Sequence, residues 1–198
     1  MSATKQRDAV ARQAKTDTSA ALQSARSIAD PWFRAQALAY VARYSDAQPK
    51  QIADQAAAAA EECSDAYKQC AVRAWEIAAL AERFENKAAL ARLKSVLSKI
   101  GTVFPPSSRS EALSMLLHAA ARIGATAAED VADIIVHISN NDSHWRCHRA
   151  AVDAIGVVYR LSPETGVAIS DKVSDVKLKL KCDKIMAHGG TSPREFFW

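Results

Sequence analysis

The chain has 198 residues, 49% of them hydrophobic and 24% charged, with only six Gly and six Pro. That is enough length to bury a continuous core, and a composition that favours helix over sheet. The formal net charge of +4 is drawn mainly from residues 1–15 and 65–101 and forms no dense basic stripe of the kind a dedicated nucleic-acid binder shows.

Residues 1–15 lack the apolar run of an export signal, and nothing later offers eighteen consecutive apolar residues. Cys63, Cys70, Cys147 and Cys182 are scattered through helical segments, unlike a disulfide-stapled framework, so a reduced, cytoplasmic setting without a membrane span is expected.

In chain order, the segments 30–42, 64–78, 107–120 and 142–156 each open with Asp or Ser, continue with a basic residue and reach an Ala followed by an apolar residue. The matched pairs Ala37-Leu38, Ala71-Val72, Ala112-Leu113 and Ala150-Ala151 are spaced by 34, 41 and 38 residues, the length of a two-helix repeat with variable loops. These B helices are each preceded by an A helix, at about 17–29, 49–63, 86–100 and 125–139. Asp30 before Pro31 reads as N-cap and N1, Asp65, Ser108 and Asp142 stand at the other B-helix starts, and Pro49 and Pro163 open helices in the same way. The expected fold is all-α: an α-α superhelix, or solenoid, of about four hairpins (17–44, 49–84, 86–124 and 125–161) plus a C-terminal capping helix at 163–187. Together these make one domain over 1–188, followed by an aromatic tail at 189–198.

The first repeat, with Ala25, Ile28, Asp30, Pro31, Arg34, Ala35, Ala37, Leu38, Val41 and Ala42, resembles bacterial helical-repeat segments of the pattern A-x-x-I-x-D-P-x-x-R-A-x-A-L-x-x-I-A, within the broad HEAT/TPR-like class. The third repeat lacks the Asp-Pro start and the fourth the Ala-Leu pair. The resemblance implies a role in binding or scaffolding and no specific ligand. No G-x-S-x-G, H-E-x-x-H, P-loop or G-x-G-x-x-G motif occurs, so the expected function is a protein- or peptide-binding scaffold using the face of adjacent B helices, with no enzymatic activity and no cofactor.

One basic residue near the start of each B helix, namely Arg34, Lys68, Arg109 and Arg146, would form a ladder along a solenoid face. Such a ladder either attracts an acidic peptide or a phosphate backbone, or pairs with the repeated Asp residues as glue between repeats. Trp32, Tyr67 and Trp145 accompany it, as stacking surfaces for a partner or as packing between hairpins. A nucleic-acid-binding protein similar in architecture to the HEAT-like DNA glycosylases is the alternative function, and an unrecognised enzyme the third.

His144, Cys147 and His148, at i, i+3 and i+4, could present three ligands on one helix face but lack a second ligand pair, so no metal is expected. Cys63 and Cys70 read as small apolar residues, and the acidic groups at 61–62 and 129–133 as solvated charge. After His188-Gly189-Gly190, the tail ends in Phe196, Phe197 and Trp198. Three consecutive aromatics are expected to be buried, against their own chain or against a second copy.

Overall fold

A computed structural model describes all 198 residues, and every regular element in it is a helix. In chain order these are α1 (Ala3–Gln13), α2 (Thr18–Arg26), α3 (Pro31–Tyr44), α4 (Pro49–Glu61), α5 (Ala66–Glu82), α6 (Asn86–Lys99), a 3-10 turn (Ile100–Thr102), α7 (Pro106–Ile123), α8 (Ala125–Asn141), α9 (Trp145–Leu161), α10 (Pro163–Ser170) and α11 (Val176–Ala187).

Local chemistry sets most of these limits. The Asp30 carboxylate accepts from the Trp32 and Phe33 amides, Asp65 from Lys68 and Asp175 from Leu178, satisfying donors that the first helical turn leaves open. Proline stands at the first turn of α3, α4, α7 and α10, where its missing N–H costs nothing.

Two starts differ from the sequence expectation. Pro106 takes the first helical position of α7 with Pro105 as its cap, which places Ser108 inside the helix. In α9 the cap is His144, whose Nδ1 accepts from the Arg146 amide, while Asp142 accepts from the His144 amide in a turn just before it.

Two further corrections concern the ends. Residues 3–13 form a helix, α1, capped by Ser2, with only Val10 and Ala11 buried. So thin an apolar edge leaves little periodicity to read. The capping helix expected over 163–187 is two helices. Between them Asn140 holds the chain, accepting from the Ser174 amide and hydroxyl and donating to the Lys172 carbonyl, and Asp175 restarts the helix. Lys172 pairs with Asp133 and Lys179 with Asp171.

The chain divides into two compact units, the first comprising residues 1–96 and 196–198 and the second residues 97–195. In the first, α3 packs against α1, α2, α4 and α5, and α4 packs on α5. In the second, α9 packs against α7, α8, α10 and α11. Helices therefore meet their neighbours in sequence, as stacked hairpins do. Residues 35–42 of α3 and 70–81 of α5 are buried on every side, as expected of helices lined with alanine, which lets neighbouring backbones approach. Only the first turns and the last residues of these two B helices, Arg43, Tyr44 and Glu82, reach solvent, which narrows the accessible B-helix surface from a whole face to its ends.

A close backbone approach in the second unit falls at Gly166 on α10, where a Cβ would lie 2.5 Å from the Tyr159 Cα. Glycine to alanine within a helix ordinarily stabilises by up to about 1 kcal/mol. Here overpacking reverses the sign, and Gly166→Ala is expected to cost about 1–3 kcal/mol in chemical denaturation.

Candidate functional site

The fourth residue after the cap recurs in one role in three of the four B helices, α3, α5 and α7. Arg34 Nη1 donates to the carbonyls of Ile28 (3.0 Å) and Ala29 (3.4 Å) at the end of α2. Gln69 Nε2 donates to those of Cys63 (2.9 Å) and Glu61 (3.2 Å) at the end of α4. Arg109 donates through Nε to Val103 (3.0 Å) and through Nη2 to Gly101 (2.9 Å). Each side chain thus ties the start of its own helix to carbonyls at or just beyond the end of the helical segment before it.

Counted from the observed caps, the equivalent residues are Arg34, Gln69, Arg109 and His148. Lys68 sits one position early and Arg146 two, and each residue step turns the side chain about 100° around the helix. The four basic residues therefore do not share one register position on their helices. Lys68 Nζ lies 3.3 Å from Asp65 and 3.0 Å from the Ser64 hydroxyl, Arg34 also pairs with Glu62, and the Arg146 guanidinium lies over the Trp145 ring, 5.4 Å from its centroid.

The structure does bring Trp32, Tyr67 and Lys68 together, around a groove of about 380 Å³ at the first turns of α3 and α5. Pro31 and Phe33 add apolar wall, and Asp30 and Glu62 make the rim acidic. Trp32 and Tyr67 are half-buried. Trp32 is braced edge-on by Trp75, 6.0 Å away at 69°, a favoured aromatic geometry. Cys63 lies buried beside them, and burial, reinforced by the Asp30 charge, pushes its thiol up. It behaves as packing rather than as a nucleophile.

Arg109, Trp145 and Arg146 belong to the second unit. Trp145 is 58% exposed, with the Arg146 and Arg149 guanidinium groups 5.4 and 5.0 Å from its ring centre. Beside it opens a cavity of about 610 Å³ bordered by His148, Arg149, Asp153 and Lys181.

His144, Cys147 and His148 do not form a ligand set. His144 is committed to its helix cap and stacks on Trp145 at 6.0 Å. Cys147 is fully buried and its thiol is pushed up by that burial, and no group of three metal-ligating side chains comes together anywhere in the chain.

A His-Asp pair that no motif announces joins α7 to α9: His118 Nε2 lies 3.1 Å from Asp153, while its Nδ1 accepts from the Arg194 amide at 3.2 Å. Both ring nitrogens are engaged, so the pair positions the chain at Arg194 instead of offering a free base.

The aromatic tail is seated within the first unit. Phe196 is 1% exposed, edge-on to Trp75 at 5.3 Å and 82°, and its carbonyl accepts from the Tyr40 hydroxyl at 3.1 Å. Phe197 and Trp198 stand edge-on to the Tyr40 ring at 5.0 and 5.1 Å, and Arg7 lies 5.2 Å from the Trp198 ring centre. Burial pushes the Tyr40 phenol well above its ordinary value, so it donates its proton to the carbonyl at any working pH. The expectation that all three aromatics are buried is corrected: Phe197 is half-buried and Trp198 remains 58% exposed. The segment has no regular secondary structure, and only Phe196 is fully enclosed.

Comparison of the chain with models of known protein families, with curated proteins and with solved structures finds no match.

Proposed function

We propose that the chain is a non-enzymatic scaffold that binds a protein or peptide through the groove at the first turns of α3 and α5. The observation that carries this reading is the placement of Trp32 and Tyr67, half-buried and braced, around one apolar groove with Lys68 at its edge. Tryptophan and tyrosine held in this way supply large contact area with few rotors to immobilise, the usual anchors of a protein interface. The groove suits one or two partner side chains, and its mixed charges suit a peptide more than a polyanion.

Assignment to the helical-repeat class belongs to the same proposal, supported by the recurring side-chain ties at Arg34, Gln69 and Arg109. So does a reducing, cytoplasmic setting, supported by four free cysteines. No helix is long and apolar enough to cross a membrane.

Binding to nucleic acid is the less favoured reading, because Arg34, Arg109 and Lys68 already hold carbonyl, carboxylate or hydroxyl oxygens. Trp145 between two arginines is the feature that supports it.

Peptides selected on the intact chain from a random displayed library test the proposal. Trp32→Ala or Tyr67→Ala should each weaken the selected peptides by about tenfold or more, as for interface anchors. Raising salt from 50 to 200 mM should change their affinity by less than about threefold, whereas a phosphate-gripping surface loses about a thousandfold or more. Failure to select any peptide, together with steeply salt-dependent DNA binding, would overturn the proposal.

A further inference from the structure

We propose that the site filled by Phe196 is itself a peptide-recognition site, specific for a phenylalanine followed by two aromatic residues, and that the chain's own segment occludes it until a partner of that chemistry replaces it. The inference rests on the peptide-binding reading above and names the ligand class of the same aromatic surface, since Trp75 touches both Trp32 of the groove and Phe196.

The site reads its occupant in three ways. The phenylalanine ring is enclosed against the edge of Trp75. The main chain is read by the Tyr40 hydroxyl, which donates to the carbonyl of that same residue at 3.1 Å. The two following rings are read by the Tyr40 face at 5.0 and 5.1 Å, with the Arg7 guanidinium 5.2 Å from the second. Arg7 is itself aimed, by its bonds to Gln36 and Asp8. One enclosed side chain, one main-chain hydrogen bond and flanking ring contacts together specify both the side chain and the backbone of a bound peptide.

The occupying segment is open to exchange. It is irregular, its last ring is 58% exposed, and it leaves α11 through Gly189 and Gly190, whose φ values of 85° and 78° suit glycine. Elements with few enclosed contacts open well below the global unfolding free energy. An empty site would uncover Tyr40 and Trp75, both now buried, so the favoured alternative to the native occupant is another segment of like chemistry rather than a vacancy. The native segment is covalently part of the chain, which gives it a high effective concentration that a free peptide must overcome.

The test uses the full-length chain and a fluorescein-labelled peptide copying residues 191–198. Phe196→Ala in the chain should open the site, and the peptide should then bind saturably, at least about tenfold more tightly than to the intact chain. The peptide carrying alanine in place of its first phenylalanine should not bind, and Tyr40→Phe added to the chain should weaken binding several-fold through loss of the carbonyl bond. If Phe196→Ala does not fold, Phe196→Leu, which keeps most of the apolar volume, serves instead and should also bind more tightly than the intact chain.

A folded variant that ignores the peptide, or equal binding by variant and intact chain, would overturn the proposal. So would a concentration-dependent dimer of the intact chain that is abolished by Phe196→Ala, which would make the occupant a second copy. Tyr67→Ala should leave this binding unchanged while removing that of groove-selected peptides, so failure of one site is distinguishable from failure of the other.

Discussion

Replacing Phe196 with alanine should lower the unfolding free energy by about 3–5 kcal/mol, the range for truncating an enclosed phenylalanine. The ring is 1% exposed and packs edge-on to Trp75, so its removal leaves both lost apolar contact and a cavity. For a chain of this size, each kcal/mol shifts the melting temperature by about 2–4 °C, so a fall of roughly 6–20 °C is expected. Trp198→Ala should cost less than about 1 kcal/mol, because that ring is mostly solvated and its contact with Arg7 is a surface cation–π interaction. Equal effects from the two substitutions, measured by urea denaturation, would mean that the enclosed position at Phe196 is not special. The size of the Phe196 effect also sets how hard the native segment is to displace, and so why the intact chain should take up free peptide weakly.

The second large effect concerns Glu76, which lies inside the first unit at 1% exposure. Arg73 Nε and Nη2 both meet its Oε1, and Oε2 has no hydrogen-bond partner. Burial pushes the carboxyl from 4.5 up to about 7, with Arg73 and then Arg92 of α6 opposing that rise and Asp54 of α4 adding slightly to it.

In the unfolded chain the proton leaves near 4.5, in the folded chain near 7. Between those values the folded state holds more protons, so stability falls as pH rises, and the contribution that is complete below 4.5 is gone above 7. At about 1.4 kcal/mol per unit the difference is about 3 kcal/mol. Glu76→Gln keeps an uncharged side chain at every pH and should flatten the profile, leaving the variant more stable than the parent at pH 8 relative to their difference at pH 4. Parallel stability curves for the two proteins from pH 4 to 8 would show that Arg73 holds Glu76 ionised throughout.

Much of this fold was written locally. Asp30-Pro31 and Asp65 start helices where they stand because a carboxylate cap and an N1 proline act within one turn. The register of the basic residues was not legible, because it depends on which residue does the capping. Pro105 displaced Ser108 from that role and His144 displaced Asp142, which brought Arg109 into line with Arg34 and put Arg146 out of it, while Lys68 stands three residues after its cap where Arg34 stands four. Gln69 takes the place of the column in α5; it carries no charge and so is invisible to a pattern of basic residues, whereas the role is donation to carbonyls.

At the candidate site, Trp32, Tyr67 and Lys68 were identified from their positions beside the helix caps, and they do share a groove. The partners of the tail were not legible: Tyr40 and Phe196 are 156 residues apart, and no local pattern records a contact at that separation. The same holds for His118 and Asp153, whose pairing joins two helices whose sequences carry no shared motif.

The central claim, that the chain binds peptide through the aromatic groove of its first unit, is tested most directly by following backbone amide NMR shifts of the labelled protein while a library-selected peptide is titrated in. Saturable shifts concentrated at residues 30–34 and 62–68 are expected, both requiring at least about tenfold more peptide in Tyr67→Ala. Shifts confined to the surroundings of Trp145, Arg146 and Arg149, with residues 30–34 and 62–68 unmoved, would contradict the claim.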